Sequence, residues 1–227
     1  MTDTIQSVSR ALSADIATLN TISHNIANLN TPGFRAERSL PGFEAHLTGT
    51  SEGLRARDLS DGPLSTTGRP LDLALRGHGF FVVERDGAPV LVRAGQFRLD
   101  AEKNLVTAAG DRVLGESGAL TLESENVRID AKGELWSGTQ SLGRLRLVDV
   151  ADASALRGLD GGGFRYEGAL TEWQGSVQQG AIEHANVDAA DESIRLMELT
   201  RHVESVQRAI AIYDKAMDAG VNRLGEN

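Results

Sequence analysis

Five histidines are the side chains of this sequence best suited to chemistry, because imidazole can bind a metal or move a proton near neutral pH. None of them has the His-x-x-x-His or Glu-x-x-His spacing that places two ligands on one face of a helix. No Gly-x-Ser-x-Gly elbow is present to carry a serine nucleophile. We therefore expect no catalytic site, no bound metal and no cofactor. The five histidines are His24, His46, His78, His184 and His202.

Two other short patterns are compatible with ligand binding but are better explained as turns. Gly77-His78-Gly79 contains two glycines of a phosphate-binding loop, yet the third glycine and a following helix are absent. Asp100 and Asp130 lie in acidic turns, yet neither turn has the alternating oxygen ligands and final glutamate of a calcium loop. Aspartate favours turns because its side chain accepts hydrogen bonds from nearby backbone N–H groups.

The composition indicates a globular protein with its own core and argues against nucleic-acid binding. Of 227 residues, 40% are hydrophobic, which is enough for one large domain or two small ones. Acidic residues outnumber basic residues by 32 to 23, so the net charge of −9 does not attract a phosphate backbone. Aromatic residues make up only 4%, and the 25 glycines indicate many turns instead of an aromatic cofactor pocket.

The chain contains no cysteine, so packing must hold the fold together without disulfides or thiolate metal sites. The first residues have neither the basic region nor the apolar stretch of a secretory signal. No run of about 18 apolar residues occurs in the sequence. We therefore expect neither a cleaved signal peptide nor a direct membrane span.

An apolar heptad stripe near the N-terminus predicts a helix of about seven turns. Its members recur at alternating steps of three and four residues, and Asp15 is the polar exception. Either Asp15 lies at the edge of the contact and Ile16 replaces it, or a polar residue in the seam fixes register or partner choice at some cost in stability. The apolar members are Ile5, Val8, Leu12, Leu19, Ile22, Ile26 and Leu29.

This helix is predicted to end in a polar corner, where three asparagines precede Thr-Pro-Gly. Proline lacks a backbone donor and glycine tolerates a positive φ, so the chain cannot remain helical at this point. The following residues, 34–69, show no sustained period and are rich in Gly, Ser, Thr, Arg and Pro. We interpret them as an extended connector, which is either functional and ordered by a partner or a mobile linker.

Residues 70–184 predict an all-β domain with short turns. Leu71, Leu73 and Leu75 alternate with other residues, as in a strand with one buried face. The apolar runs Phe80 to Val83 and Val90 to Val92 predict a hairpin, because Arg85-Asp86-Gly87 between them favours a tight turn.

The β region also contains an internal repeat. Phe97-Arg98-Leu99-Asp100-Ala101, followed by Leu105, recurs thirty residues later as Val127-Arg128-Ile129-Asp130-Ala131, followed by Leu135. Apolar and polar residues occupy the same places in both copies. We therefore predict two equivalent hairpins.

A second heptad stripe begins after Asn186 or Asp188, either of which could cap a helix. Two terminal helices with matching seams can bury them by pairing as an antiparallel or staggered coiled coil. The predicted fold class is α+β, in which N- and C-terminal helices within residues 1–33 and 185–227 form a coiled coil that flanks an inserted all-β domain. The second seam consists of Leu196, Leu199, Val203, Val206, Ile210, Tyr213 and Met217.

Three blocks of the sequence resemble the bacterial flagellar axial proteins, the family that builds the rod, the hook and the hook-filament junction. The first block is Asn25-Ile26-Ala27-Asn28 followed by Asn30-Thr31-Pro32-Gly33, a combination seldom found in other proteins. The second block, Gly68 to Leu75 with Arg93 to Phe97, is similar to the β domain that rod and hook proteins share. The third block, the helix with Met197 to Arg201, resembles the C-terminal helix of the family.

Within this family the short length and the run Leu196 to Arg201 are more similar to the proximal rod protein than to the longer distal rod protein. The resemblance implies a structural subunit, not an enzyme, that assembles with copies of itself and other rod proteins into the periplasm-spanning shaft needed for motility. It implies export in unfolded form through the flagellar type III apparatus and a location in the basal body.

The resemblance also implies that the polar corner contacts neighbouring subunits, because its asparagines offer hydrogen-bond donors and acceptors. The alternatives within the family are a distal rod protein or another axial or hook protein. The alternative of another class is a secreted adhesion module that binds through the β domain. The residues expected to form the family motif and its intersubunit contacts are Asn25, Asn28, Asn30, Thr31, Pro32, Gly33 and Phe34.

Overall fold

The computed structural model of the chain describes residues 2–39, 55–159 and 162–225. Helix α1 spans Thr2–Ala27 and helix α2 spans Ala189–Gly225. Asp188 caps α2, because its Oδ1 accepts hydrogen bonds from the backbone N–H of Ala190 at 2.8 Å and of Asp191 at 3.2 Å. The two predicted terminal helices are confirmed, and Asp188 is the cap instead of Asn186. In the described part of these helices, no segment is long and apolar enough to cross a membrane.

Short strands fill most of the described chain between the helices, together with a 3-10 turn at Ala153–Ala155. The strands are β1 (Glu37–Ser39), β2 (Arg55–Arg57), β3 (Leu64–Thr66), β4 (Leu73–Arg76), β5 (Phe80–Arg85), β6 (Ala88–Val92), β7 (Phe97–Leu99), β8 (Leu105–Thr107), β9 (Arg112–Gly115), β10 (Gly118–Ala119), β11 (Arg128–Ile129), β12 (Glu134–Ser137), β13 (Gln140–Arg144), β14 (Leu147–Val150), β15 (Arg157–Gly158), β16 (Phe164–Arg165), β17 (Leu170–Glu172), β18 (Ser176–Gln179) and β19 (Ala181–Glu183).

These strands are arranged around a 10-stranded sheet whose main path runs β15-β16-β6-β5-β9-β8-β7. Strand β10 pairs with β9, and β14 pairs with both β5 and β17. Smaller sheets are formed by β11-β12-β13, by β18-β4, by β19-β3 and by β1-β2. The chain therefore combines terminal helices with a β-rich region, as the predicted α+β class requires.

Strand β5 lies at the centre of the core. Phe81 and Val83 pack into the larger cluster of buried apolar residues, whereas Phe80 and Val82 pack into a second cluster. Both faces of the strand are covered, which explains why its sequence is a continuous apolar run without alternation. The predicted hairpin to β6 is confirmed: Asp86 and Gly87 form its two-residue turn with φ values of 52° and 75°.

The prediction that the Leu71 to Leu75 segment has one buried face is wrong, because both of its faces are buried. Asp72 is 1% exposed and Ala74 is completely buried. The Asp72 carboxylate accepts a hydrogen bond from the Thr67 hydroxyl at 2.7 Å and lies 3.4 Å from the Arg69 guanidinium. This local partnership allows a charged residue to occupy a face that an unpaired carboxylate could not.

The predicted repeat is confirmed as two hairpins of the same register. Leu99 pairs with Leu105 across β7 and β8, and Ile129 pairs with Leu135 across β11 and β12. The turns are built alike. Asp100 Oδ1 accepts the N–H of Asn104 at 2.7 Å, and Asp130 Oδ1 accepts the N–H of Glu134 at 3.0 Å.

The chain divides into two compact units whose boundaries differ from those predicted. One unit contains both terminal helices, and the β-rich unit comprises Ala27–Arg38 and Arg55–Val187. The described part of the predicted connector therefore belongs largely with the β-rich unit, where it supplies β2 and β3. The rest of that connector, residues 40–54, lies outside the described residues.

The repeat predicts opposite effects of glycine at its two equivalent turn positions. Lys103 has a φ of 65° and Gly133 a φ of 79°, a left-handed conformation that strains residues with a Cβ. Lys103→Gly should raise the free energy of unfolding by about 0.5–1 kcal/mol, because strain is released. Gly133→Lys should lower it by about 1–2 kcal/mol, since a Cβ there would also lie 3.1 Å from Leu147 Cδ1. Urea unfolding measures both changes, and a destabilised Lys103→Gly variant would show that the turn is unstrained.

Acid should weaken the second of these turns. The N–H of Glu134, helped by that of Lys132 and opposed by desolvation, lowers the pKa of Asp130 from its usual 3.8. Because the folded-state pKa is below the unfolded one, the stabilisation is present above about pH 4 and is lost as the pH falls through the folded value. Asp130→Asn should therefore destabilise the protein at about pH 7, and its difference from wild type should shrink toward about pH 2. A difference that stays constant in urea unfolding across this range would contradict the assignment.

Candidate functional site

The polar corner after α1 is a compact turn. The Thr31 N–H donates to the Asn28 carbonyl at 3.0 Å, and the Thr31 hydroxyl donates to Asn28 Oδ1 at 3.1 Å. The Phe34 N–H donates to the Thr31 carbonyl at 3.2 Å, which reverses the chain at Pro32. The Asn-x-x-Thr-Pro-Gly spacing is therefore explained by hydrogen bonds within the turn.

Gly33 joins this turn to the body of the β-rich unit. Its N–H donates to the Glu183 carbonyl at 2.8 Å, and its φ is 68°. A Cβ at this position would lie 2.5 Å from the backbone nitrogen of Ala94. Both the conformation and the close approach of two backbones require glycine here.

A buried cluster of charges follows directly after the turn. Arg35 Nη1 donates to Glu183 Oε1 at 2.8 Å, and Arg93 Nε donates to the other carboxylate oxygen, Glu183 Oε2. Arg93 Nη2 also contacts Asp61 Oδ1 at 3.0 Å. The side chains of Arg35, Arg93 and Glu183 are all at most 1% exposed, whereas Asp61 is 39% exposed. One buried carboxylate thus pairs with two buried guanidinium groups, and Asp61 supplies the second negative charge.

Backbone carbonyls complete the coordination of Arg93. Its guanidinium donates to the carbonyl oxygens of Leu75 at 2.8 Å, Gly77 at 2.8 Å and Gly79 at 2.7 Å. The Gly77-His78-Gly79 segment therefore binds an arginine through its backbone carbonyl oxygens. A phosphate-binding loop would instead bind its ligand through backbone N–H groups. The interpretation of this segment as a turn without ligand-binding chemistry is consistent with this arrangement.

The environment of Arg35 disfavours its charged form. Burial is the main cause that lowers the pKa of Arg35, and the neighbouring charge of Arg93 lowers it further. The carboxylates of Glu183 and Asp61 oppose this shift. Two like charges can remain buried side by side because Glu183 lies between them.

Asn186 connects the same region to the segment that precedes α2. Its Oδ1 accepts the Ala36 N–H at 2.6 Å, and its Nδ2 donates to the carbonyls of Asp58 at 2.8 Å and Ser60 at 2.9 Å. The Asn186 N–H also donates to the Phe34 carbonyl at 3.3 Å. The segments that leave α1 and lead into α2 are therefore tied together by Gly33, Glu183 and Asn186.

Among the described side chains of the helical unit, Asn25 and Asp15 of α1 contact residues of α2. Asn25 Nδ2 donates to Glu192 Oε1 at 3.2 Å, and both residues are 1% exposed. Asp15 Oδ2 lies 3.7 Å from His202 Nε2. The contacts run in opposite chain directions, so the helices are antiparallel over this stretch.

The structure places Asp15 on the inner side of this pair. Its side chain is 15% exposed, whereas Ile16 is 51% exposed. Of the two interpretations of Asp15, this arrangement favours a polar residue within the helix contact. Ile16 does not replace it.

The predicted seam residues differ widely in exposure. Leu12 is 41% exposed and Leu19 is 40% exposed, so much of the α1 stripe is left uncovered within one chain. The side chains of Ile5, Val8 and Met217 lie outside the part that the structure describes. Ile22 is buried, Ile210 and Tyr213 are exposed, and the remaining seam residues are half-buried: Ile26, Leu29, Leu196, Leu199, Val203 and Val206.

The residues of the polar corner also differ in their solvent exposure. Asn25 and Gly33 are buried and make their described contacts within the chain. Asn30 and Thr31 are exposed, and Asn28, Pro32 and Phe34 are half-buried. Across the described residues, no group of three His, Asp or Glu side chains converges as a metal site.

Three families match the chain, and together they span the corner, the β-rich region and α2. Residues 5–35 match the flagella basal body rod protein family. Residues 74–137 match the flagellar hook protein FlgE/F/G D1 domain. Residues 178–224 match the flagellar basal body rod FlgEFG protein C-terminal family. The class of protein is thus a flagellar axial protein.

Curated relatives match over nearly the full chain. The flagellar basal-body rod protein FlgF of Caulobacter vibrioides is 31% identical, with 92% of each chain covered. FlgF of Salmonella typhimurium is 32% identical, with 92% of this chain and 86% of the relative covered. FlgG of Bacillus subtilis is 27% identical, with 90% of this chain and 92% of the relative covered. The chain belongs to the flagellar basal-body rod protein family, and its similarity is of the FlgF type. It is a structural subunit of the basal-body rod and not an enzyme.

The buried charge cluster is the feature that sequence reasoning missed. Arg93 belongs to a block that carried the family resemblance, but Arg35, Asp61 and Glu183 had no assigned role. The available signals were Arg93 at the end of the apolar run Val90 to Val92 and Glu183 in the strand that ends with it. Each signal shows a charge in an apolar setting, but neither one identifies its partner.

Removing the central carboxylate should strongly destabilise the β-rich unit. Glu183→Gln leaves two buried guanidinium groups with only the half-exposed Asp61 as a counter-charge, so the free energy of unfolding should fall by about 3–5 kcal/mol. Urea unfolding followed by the fluorescence of Trp136 and Trp173 measures this change.

The matched control for this variant is Glu116→Gln. Glu116 pairs with Arg144 at 3.5 Å, but its side chain is 59% exposed and that of Arg144 is 45% exposed. Its loss should change stability by no more than about 1 kcal/mol. Equal effects of the two variants would show that the cluster contributes no more than a surface pair.

Proposed function

We propose that the chain is the proximal-rod subunit and that it polymerises through its terminal helices with copies of itself and with other rod proteins. The observation that carries this proposal is that Leu12 and Leu19 of the apolar stripe on α1, together with the adjacent Ile16, are 40% to 51% exposed. Exposed apolar side chains at helical spacing are typical of a surface that another helix covers. The greater similarity to FlgF relatives than to FlgG relatives supports the proximal position.

The terminal helices are proposed to form an antiparallel coiled coil within each subunit. The two contacts that join them support this arrangement, as do the half-buried Leu196, Leu199 and Val203 at heptad spacing on α2. Neighbouring subunits would then add the second contact surface of α1. Contacts between unlike surfaces that do not close into a ring generate a helical array, which is the geometry of a rod.

The corner is proposed to contribute to the subunit contacts through its exposed members. Asn30 and Thr31 are exposed, so their side chains are available to a neighbour after the turn has formed. Asn25 and Gly33, in contrast, are buried and make hydrogen bonds within the chain. The intersubunit role proposed for the motif therefore concentrates on Asn30 and its surroundings.

We also propose export of the unfolded chain through the flagellar type III apparatus and assembly in the periplasm. The absence of cysteine supports this route, because no disulfide has to be made or rearranged after export. The buried cluster supports it as well: its members lie at positions 35, 61, 93 and 183, so the β-rich unit cannot complete its fold until the chain has emerged through residue 183.

The stripe on α1 should be required for assembly but not for folding of the chain. Leu12→Gln/Leu19→Gln should reduce incorporation into basal bodies by about tenfold or more, because interface residues that are half-exposed in the monomer become buried anchors. Helix content should be kept, since glutamine is a good helix former. Quantitative blotting of purified basal bodies and swimming assays in a strain lacking the wild-type subunit measure the effect.

Leu170→Gln is the matched control. Leu170 is 43% exposed, similar to Leu12, but it lies on β17 in the β-rich unit. Incorporation of this variant should stay at the wild-type level. Normal motility of the α1 variant would contradict the proposal, and so would a chain lacking residues 1–30 that still enters the rod. An adhesion module would retain its binding after that deletion.

A further inference from the structure

The segment that leaves α1 and the segment that leads into α2 are joined inside the β-rich unit by two backbone hydrogen bonds. The Gly33 N–H donates to the Glu183 carbonyl at 2.8 Å, and the Asn186 N–H donates to the Phe34 carbonyl at 3.3 Å. All four residues belong to the β-rich unit, so these bonds are part of its fold. We call this pair of bonds the tie.

Side chains of the β-rich unit hold the tie in place. Asn186 Oδ1 accepts the Ala36 N–H at 2.6 Å, from a residue 150 positions earlier, and Asn186 Nδ2 donates to the Asp58 carbonyl at 2.8 Å. Arg35 and Glu183 form an ion pair of 2.8 Å, and both side chains are 1% exposed. The tie therefore needs three separate segments of the chain to be docked together, which requires a folded β-rich unit.

The contact between the two helices is weaker than the tie. Asn25 donates to Glu192 at 3.2 Å, whereas Asp15 lies 3.7 Å from His202, which is 59% exposed. Exposed charge pairs of this kind contribute little stability. Across the described part of α1, Ile22 is the one residue of the apolar stripe that is buried. The pairing of the helices should therefore be sensitive to the entropy of bringing them together.

The tie shortens the loop that helix pairing must close. Without the tie, the contact of Asn25 with Glu192 closes a loop of 167 residues. With the tie, the loop consists of the stretch from Asn25 to Phe34 and the stretch from Asn186 to Glu192, about 15 residues together. Because the closure entropy grows as about 1.5R times the logarithm of the loop length, the shorter loop favours pairing by about 40-fold.

We propose that the tie makes the pairing of α1 with α2 conditional on a folded β-rich unit. When this unit is unfolded, the helices are joined only by the long loop, and when it folds, the tie raises the effective concentration of one helix at the other. A consequence is that α1 presents its exposed stripe from a helix pair only after residue 186 has docked. Only this consequence for assembly rests on the proposed function.

Two insertions of the same flexible segment into the full-length protein distinguish the short loop from the long one. About 40 Gly and Ser residues between Val187 and Asp188 lengthen the connection outside the tie, where a flexible chain adds closure entropy. The control places the same segment between Glu123 and Ser124, two exposed loop residues of the β-rich unit. Both insertions lengthen the chain between the helices equally, but only the first lengthens the loop closed by the tie.

Amide hydrogen exchange followed by mass spectrometry measures the pairing. The first insertion should lower the protection factors of the α1 amides by about sevenfold, because the short loop grows from about 15 to about 55 residues. The control insertion should leave these factors unchanged. Amides of β5 and β6 report that the β-rich unit remains folded in both variants. Equal effects of the two insertions overturn the proposal, and so does unchanged α1 protection after the first.

Breaking the tie from within the β-rich unit provides a second measurement. Trp136 and Trp173 are the two tryptophans of the chain, and both lie in this unit, so their fluorescence reports its unfolding alone. The far-UV ellipticity reports mainly the helices. Glu183→Gln should move the fluorescence transition to lower urea, and the helix signal should be lost at or before that new midpoint. Helix ellipticity that outlasts the fluorescence transition would overturn the proposal. Glu116→Gln, the exposed control, should move neither transition.

Incorporation into basal bodies is measured separately for the insertion between Val187 and Asp188. Reduced α1 protection together with reduced incorporation supports both the coupling and the proposed function. Reduced protection with normal incorporation supports the coupling and contradicts the proposed role of the paired helices in assembly. Unchanged protection overturns the coupling whatever the level of incorporation, so the two proposals are decided by different measurements.

Discussion

The pairing of Glu183 with Arg35 and Arg93 is the interaction on which the β-rich unit depends. A buried charge is tolerated only when an opposite charge and hydrogen bonds compensate for its lost hydration. Arg93 satisfies this condition through Glu183, Asp61 and three backbone carbonyls, so the segments that contribute these groups must all be in place together. Because the buried charges must be neutralised, the cluster holds together four segments that are distant in sequence, at residues 35, 61, 93 and 183.

The position of the cluster explains several features of the corner nearby. Gly33 binds the backbone of Glu183, and Asn186 binds the backbone on both sides of Arg35. Neighbouring residues therefore use backbone hydrogen bonds to hold the same segments that the side chains hold by charge. An apolar core at this point could give equal stability, but it would not require one particular alignment of the segments leaving α1 and entering α2.

Features that depend on local pattern were predictable from the sequence, whereas features that depend on the pairing of distant residues were not. The heptad stripes, the apolar run Phe80 to Val83 and the thirty-residue repeat each follow from spacing within one segment. The partner of Arg35 is 148 residues away, and no periodicity relates the two. The environment of α1 was predicted only in part: Ile22 of its stripe is buried as expected, but the stripe did not predict the contacts that Asp15 and Asn25 make with α2.

The two units differ in how completely a single chain can bury its apolar residues. In the β-rich unit, Leu71, Phe81 and Leu135 are at most 2% exposed, so the core is complete within one chain. On the helices, Leu12, Ile16 and Met197 are 41% to 54% exposed. A subunit that completed this burial internally would have little reason to polymerise. The proposed rod therefore depends on apolar side chains that remain exposed on the helices of one subunit and are covered by the next.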